Sequence, residues 1–310
     1  MKRFRVRVLA GAVFSFACAA TFASVAQAQV ANNQTDGRDY EALAYLPKDT
    51  LVALGYFREA STSDTQSFSQ SQGIFRASYI LKYGNLAIVP FDMLIPVVDA
   101  TVYVPGAMGT TVLHTSGTGD LTYLPTIGYI IPEDDETHTH TYVAATAYVT
   151  APVGSYDSAR PVNIGDNRWR IQPQVAVGQR FLKALTFDLV GSLALYTDNS
   201  KFGTAMGNVT MKQDPTFGLE AHLFADLSPT FYAGVSYYLS AIGQESIQAP
   251  MVPTTPIDQK VTVQTLRFTY GIRVEKNTGI LLQYNQDIEA SGGGSIGRFI
   301  GARITHALFF

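Results

Sequence analysis

The chain has a single cysteine, Cys18, and a single tryptophan in 310 residues, and only 15% of its residues are charged. Cys18 lies inside an apolar N-terminal run, so a chain cut after that run carries no thiol. This excludes disulfides, thiolate metal sites and cysteine nucleophiles together. Beyond residue 28 no apolar run reaches the roughly 18 residues a membrane helix needs. The most apolar stretch, Leu86 to Val104, is broken by Pro90, Asp92, Pro96 and Asp99. Positive charge is also scarce: 22 Lys and Arg face 25 Asp and Glu. Four of the 22 (Lys2, Arg3, Arg5, Arg7) precede the apolar run; without them 18 remain, for a net charge of −7. Such a balance argues against nucleic acid as a partner. With 46% hydrophobic residues, intrinsic disorder is excluded as well.

What the chain does have begins with an address. Met1 to Ala28 combines a basic start, an apolar stretch rich in Ala and Phe, and the small-residue ending Ala26-Gln27-Ala28, the three parts of a secretory signal peptide cleaved before Gln29. A transmembrane anchor is the competing reading, disfavoured by Ser15, Thr21 and Ser24 within the run. With no membrane helix after it, the exported chain is either soluble or crosses a membrane as a closed sheet.

Alternation favours the closed sheet. From Arg168, odd positions carry Trp169, Ile171, Val175, Val177 and Phe181, while even positions carry Arg168, Arg170, Gln172, Gln174 and Arg180. That is a strand of period two with one apolar and one polar face. Met211 to Asp226 repeats it, setting Phe217, Leu219 and Leu223 against Lys212, Asp214, Glu220, His222 and Asp226. The pattern predicts twelve strands, near 49–58, 73–83, 85–97, 119–131, 139–152, 167–181, 184–197, 209–226, 230–241, 260–275, 279–290 and 297–310. At about 10 to 14 residues each they are long for a globular sheet and suited to crossing a bilayer at a tilt. Their connections alternate between long loops, such as 98–118 and 241–259, and tight turns, such as Gly84-Asn85 and Leu182-Lys183. This sorting is expected of an outer-membrane barrel of a Gram-negative bacterium and not of a soluble sandwich.

The reading is therefore all-β: a 12-stranded antiparallel transmembrane β-barrel over 48–310, preceded by the signal peptide (1–28) and a periplasmic N-terminal segment (29–47) with a short helix around Tyr40 to Leu46. The last strand ends on Phe310, with Ile304 and Leu308 on the same face, an aromatic ending suited to the membrane interface and to the barrel insertion machinery. Outer-membrane lipid and that machinery are the expected partners.

Charges of both signs on the inward faces need water or each other. The candidate pore-lining residues are Arg168, Arg170, Gln172, Gln174, Lys212, Asp214, Glu220, His222, Arg267 and Arg273, with Arg76, Lys82, Arg180, Asp120, Asp188, Asp226, Asp287 and Glu289 also inward. As a pore lining they form a transverse field in which the ladder from Arg168 to Gln174 selects anions such as aromatic carboxylates. As a structural brace the same charges pair and fill the barrel, and twelve strands allow either. His138 and His140, beside Glu133 to Glu136, are weak candidates for a divalent ion, although an acidic turn is more simply solvated; no metal or cofactor is expected. His222, flanked by carboxylates, is the one candidate for a catalytic base. It has no serine partner on its strand, and the exported chain has no Gly-x-Ser-x-Gly elbow, so no enzyme and no catalytic residue is expected.

Four segments carry a family resemblance: Arg38-Asp39-Tyr40-Glu41, Gly117-Thr118-Gly119-Asp120-Leu121, Ala151-Pro152-Val153-Gly154-Ser155-Tyr156-Asp157, and Asn163-Ile164-Gly165-Asp166-Asn167-Arg168-Trp169. In order and spacing the chain from about 38 to 310 resembles the outer-membrane proteins grouped as the meta-pathway phenol-degradation family. The resemblance implies a channel-like barrel for passive uptake of small aromatic or hydrophobic compounds, and it brings no catalytic or binding residues with it. A general porin, or a structural or adhesive barrel without substrate preference, is the alternative. The charged stretch Pro132 to His140 departs from the short turn expected there.

Overall fold

A strand whose side chains alternate between apolar and polar can bury both faces only if one meets lipid and the other a shared interior. In the computed structural model the polar faces share one interior and the apolar faces point outward. The structure describes residues 35–36, 38–62, 68–106, 109–134, 139–181, 184–204, 207–249, 253–292 and 296–309; the expected signal peptide and Phe310 lie outside them. In chain order the elements are helix α1 (Ala42–Tyr45) and strands β1 (Thr50–Thr62), β2 (Phe68–Tyr83), β3 (Leu86–Gly106), β4 (Gly109–Thr118), β5 (Leu121–Tyr123), β6 (Thr126–Asp134), β7 (Thr139–Ala151), β8 (Arg170–Phe181) and β9 (Leu185–Tyr196). Then follow β10 (Asn199–Thr204), β11 (Gly207–Gln213), β12 (Thr216–Asp226), β13 (Phe231–Ile242), β14 (Glu245–Gln248), β15 (Thr255–Pro256), β16 (Val261–Glu275), β17 (Thr278–Ser291) and β18 (Gly297–Phe309).

Twelve staves close into an antiparallel barrel in the order β1, β2, β3, β5 with β6, β7, β8, β9, β12, β13, β16, β17, β18. The seam between the ends of the chain is complete, from Thr50 opposite Phe309 to Thr62 opposite Gly297. The fourth stave is broken into β5 and β6 at Leu124 and Pro125, because Pro125 has no N–H to give a ladder. The same chemistry corrects the expected strand 209–226: Asp214 and Pro215 interrupt it, leaving β11 outside the ring and β12 within it. β11 joins β10, β14 and β15 in a four-stranded sheet at the end of the long connections, the loop end. That sheet packs around Val209, Ile247 and Ile257.

The outward positions of β8, Ile171, Val175 and Val177, are 46 to 62% exposed, and Arg170, Gln172 and Gln174 between them are buried within the ring. Outward Leu219 and Leu223 on β12 and Ile300, Ile304 and Leu308 on β18 extend the apolar belt. No helix among the described residues is long and apolar enough to cross a membrane. Burial inside also depends on small residues: Tyr142 lies flat over Gly178, where any Cβ would collide with its ring, and so reaches the Asp188 carboxylate at 2.7 Å.

The described part of the expected periplasmic segment lies inside the ring. Tyr40 and Leu43 pack against inward Val52, Ile80, Val89, Ala144, Ala176 and Ala307, and Lys82 Nζ donates to the Ala44 carbonyl at 3.0 Å. The reason is complementarity. Residues 35–46 carry Asp36, Arg38, Asp39 and Glu41 into a lumen whose walls offer opposite charges, and they present Leu43 where the wall is small and apolar.

Candidate solute path through the lumen

Three of the four family-like segments meet at the loop end. Asp120 accepts the backbone N–H of Gly154 at 2.7 Å and of Asp166 at 2.8 Å, while Ser155 N donates to the Thr118 carbonyl and Gly165 N to the Ser155 carbonyl. A Cβ on Gly154 would lie 2.7 Å from the Gly119 carbonyl carbon and 2.8 Å from Asp120 N, which explains glycine there. Burial raises the Asp120 carboxyl above its ordinary range, against the lowering effect of those two amides.

Beside this knot Arg168 is buried, its guanidinium 4.6 Å over the Tyr196 ring. Its Nη2 donates to Gln213 at 2.6 Å and reaches Glu245 at 3.4 Å, tying the barrel rim to the loop sheet. Burial pushes the Glu245 carboxyl up to about 7, with the Arg168 charge pulling the other way. Below it Arg170 donates to Thr150, and Gln172 to Ser192.

The middle of the lumen is occupied by the start of the described chain. Thr35 Oγ1 donates to Glu220 at 2.7 Å and contacts His222 Nε2 at 3.1 Å, and His222 also meets Glu220 at 3.1 Å. Tyr40 donates to Gln174 at 2.6 Å. Asp36 is held by Arg267, Arg303, Gln283 and the Tyr56 hydroxyl.

At the end of the tight turns, the turn end, Arg180 Nη1 donates to Glu41 at 2.8 Å and its Nη2 to Asp226 at 2.7 Å. Arg38 bonds the same two carboxylates, at 2.6 Å to Glu41 and 2.8 Å to Asp226. Between this segment and the wall remains a cavity of about 290 Å³. Its lining is mixed: Leu43, Leu46, Val52 and Val89 together with the Arg76–Asp92 pair and Arg303.

Arg170, Gln172, Gln174, Glu220, His222 and Arg267 are buried on the inner side of the ring, and Arg168 is buried at its loop-end rim. Lys212 and Asp214 are not on the lumen wall: with the strand broken, Lys212 lies in the loop sheet 3.8 Å from Asp198, and Asp214 is exposed. Arg273 is at the turn end, half exposed beside Asp226. His140 faces inward on β7, 6.3 Å from the Tyr142 ring, while His138 lies outside the described residues. No group of acidic or imidazole side chains among the described residues is arranged to hold a metal. Sequence reading passed over Thr35, Asp36, Tyr56, Arg58 and Arg303. The alternating charges of Asp36 to Glu41, directly before the first strand, were the signal available for the segment.

The fold is similar to that of the COG4313 outer membrane channel from Pseudomonas putida F1, at 23% identity over 89% of this chain and 100% of that one, with a TM-score of 0.76. The transport unit of the autotransporter AIDA-I from Escherichia coli is a more distant likeness (TM-score 0.53, 8% identity, 95% and 98% of the two chains). So is the deltaS2 mutant of the TodX monoaromatic hydrocarbon channel (TM-score 0.50, 8% identity, 87% and 93%). At these identities the likeness is one of fold. No curated protein sequence matches the chain. The family described as "Putative MetA-pathway of phenol degradation" matches residues 53–300, most of the chain, and the protein belongs to that family.

Proposed function

We propose that this protein is an outer-membrane channel for the passive passage of small aromatic or hydrophobic solutes. The observation that carries the reading is the cavity of about 290 Å³ inside the ring, part apolar and part charged. An apolar cavity of about 150 Å³ already holds a benzene ring, so a monoaromatic with one polar substituent has room here. The apolar belt suits outer-membrane lipid, and the final strand with Ile304 and Leu308 outward suits assembly by the insertion machinery. Two of the similar barrels are described as channels, one of them for monoaromatic hydrocarbons. Nothing in this reading supplies energy, so flux runs down the gradient, and no catalytic step is assigned.

One observation favours a second reading, a braced structural barrel. Arg38, Arg180, Glu41 and Asp226 close the turn end with mutually paired charges. Flux into vesicles holding the refolded protein separates the two, using a neutral sugar, an aromatic carboxylate and a neutral aromatic against protein-free vesicles. Faster passage of either aromatic than of the sugar is expected. Equal passage of all three indicates a general porin, and none indicates the braced barrel.

A further inference from the structure

Asp36 is held by four donors of the barrel wall. Its Oδ1 accepts from Gln283 Nε2 at 2.9 Å and Arg267 Nη1 at 3.2 Å; its Oδ2 accepts from Arg303 Nη1 at 2.8 Å and from Tyr56. Every donor is on a barrel strand (β1, β16, β17 or β18), and the acceptor is on the segment threaded into the lumen. Arg58, Arg267 and Arg303 all act electrostatically on Asp36. A second carboxylate, Asp39, is divided between Arg303 at 3.1 Å and Arg76 at 3.6 Å. Nε of Arg58 and Nε of Arg303 are buried without a hydrogen-bond partner among the described residues.

Aromatic faces complete the arrangement. The Arg267 guanidinium lies 4.4 Å over Tyr238 and 5.4 Å over Phe299, and that of Arg58 lies 4.9 Å over Tyr56 and 5.5 Å over Phe299. Arg303 also lines the 290 Å³ cavity, so a ring attached to a carboxylate held here has adjoining space.

We propose that Arg267, Arg303, Gln283 and Tyr56, with Arg58 beside them, form a receptor for the carboxylate of a small aromatic acid, and that Asp36 is its resident occupant, displaced when the acid enters. The proposal rests on the reading of the barrel as a channel, because a solute must reach the lumen. Exchanging one carboxylate for another keeps the charge-assisted hydrogen bonds and leaves no guanidinium unpaired. A neutral aromatic offers no such exchange. Its entry in place of Asp36 removes a counter-charge from buried cations and supplies none in return.

The test is equilibrium binding of benzoate and of benzyl alcohol, at pH 8, to the refolded protein in detergent micelles. Wild type is compared with Asp36→Ala and with Asp36→Asn, which keeps the side-chain size should the alanine variant fail to fold; heat-modifiable gel mobility reports a closed barrel. Emptying the receptor should tighten benzoate binding at least tenfold and leave benzyl alcohol unchanged, and adding Arg303→Ala should abolish the gain. Unchanged benzoate affinity in a folded Asp36 variant, or equal gains for both ligands, overturns the proposal, since the latter means only a loosened segment. Binding in micelles does not depend on flux. Loss of the site with flux intact therefore leaves the channel reading standing, and binding without flux overturns the channel alone.

Discussion

Arg180 of β8 donates to Glu41 at 2.8 Å across 139 positions of sequence, and this contact fastens the N-terminal segment to the turn end of the barrel. Glu41 also accepts from Arg38 at 2.6 Å and Thr186 at 2.7 Å, so its buried carboxylate is held by guanidinium and hydroxyl donors together. The segment is therefore held by specific pairs as well as by the packing of Tyr40 and Leu43.

Replacing Arg180 by Ala leaves Glu41 buried without one of its cationic partners. The expected cost is about 3 kcal/mol, typical of a buried pair broken from one side. Protease cleavage within the segment should become faster in Arg180→Ala, and Arg180→Ala/Glu41→Gln should be less than additive, as expected for partners in contact. Additive effects, or unchanged cleavage, contradict the latch.

The knot at the loop end gives a second prediction. Gly154→Ala drives a Cβ into the backbone of Gly119 and Asp120, where no flexible side chain can yield. A loss of about 1–3 kcal/mol in unfolding free energy is expected, the usual range for overpacking. Asp120→Ala removes the acceptor of two amides and should fall in the same range. Urea unfolding of the refolded barrel measures both, and wild-type midpoints contradict the assignment.

Glu245 predicts a pH dependence. Its folded carboxyl titrates near 7 because of burial, above the ordinary 4.5, so the folded protein holds a proton that the unfolded chain has released. Its contribution to stability is full below about pH 4.5 and is lost as pH rises through about 7. The urea midpoint of the wild type should drop from pH 5 to pH 8 by more than that of Glu245→Gln. Identical slopes contradict it.

Arg168 and Arg170 are buried at the loop end of the lumen. If solutes pass them, Arg168→Ala/Arg170→Ala should shift the reversal potential in planar bilayers toward cation selectivity. Unchanged selectivity removes them from the path.

The fold was legible because lipid outside and polar groups inside impose period two on every stave, and β8 shows it residue by residue. Strand ends were less legible: the expected loop 98–118 holds the end of β3 and all of β4, Pro125 splits one stave, and Pro215 takes Lys212 and Asp214 off the lumen wall. The site was legible only on its barrel side. Alternation puts Arg267 and Glu220 inward, but it says nothing about what meets them. Their partners Thr35 and Asp36 lie on an irregular segment with no periodicity, more than 180 residues away in sequence. Arg303 was hidden differently, since attention to the apolar face of the last strand, Ile304 and Leu308, passed over its inward neighbour. Gly154 and Gly165 of the family-like loops owe their places to backbone crossings that only three-dimensional packing displays.

The most direct test of the central claim, that aromatic solutes cross through the lumen cavity, is flux of an aromatic carboxylate into vesicles carrying wild type or Thr305→Phe. Thr305 lines the cavity of about 290 Å³, and a phenyl ring there projects into it and narrows it. Flux well above protein-free vesicles for the wild type, lost in a folded Thr305→Phe barrel, is the predicted result. Equal flux through both proteins, or none through either, contradicts the account.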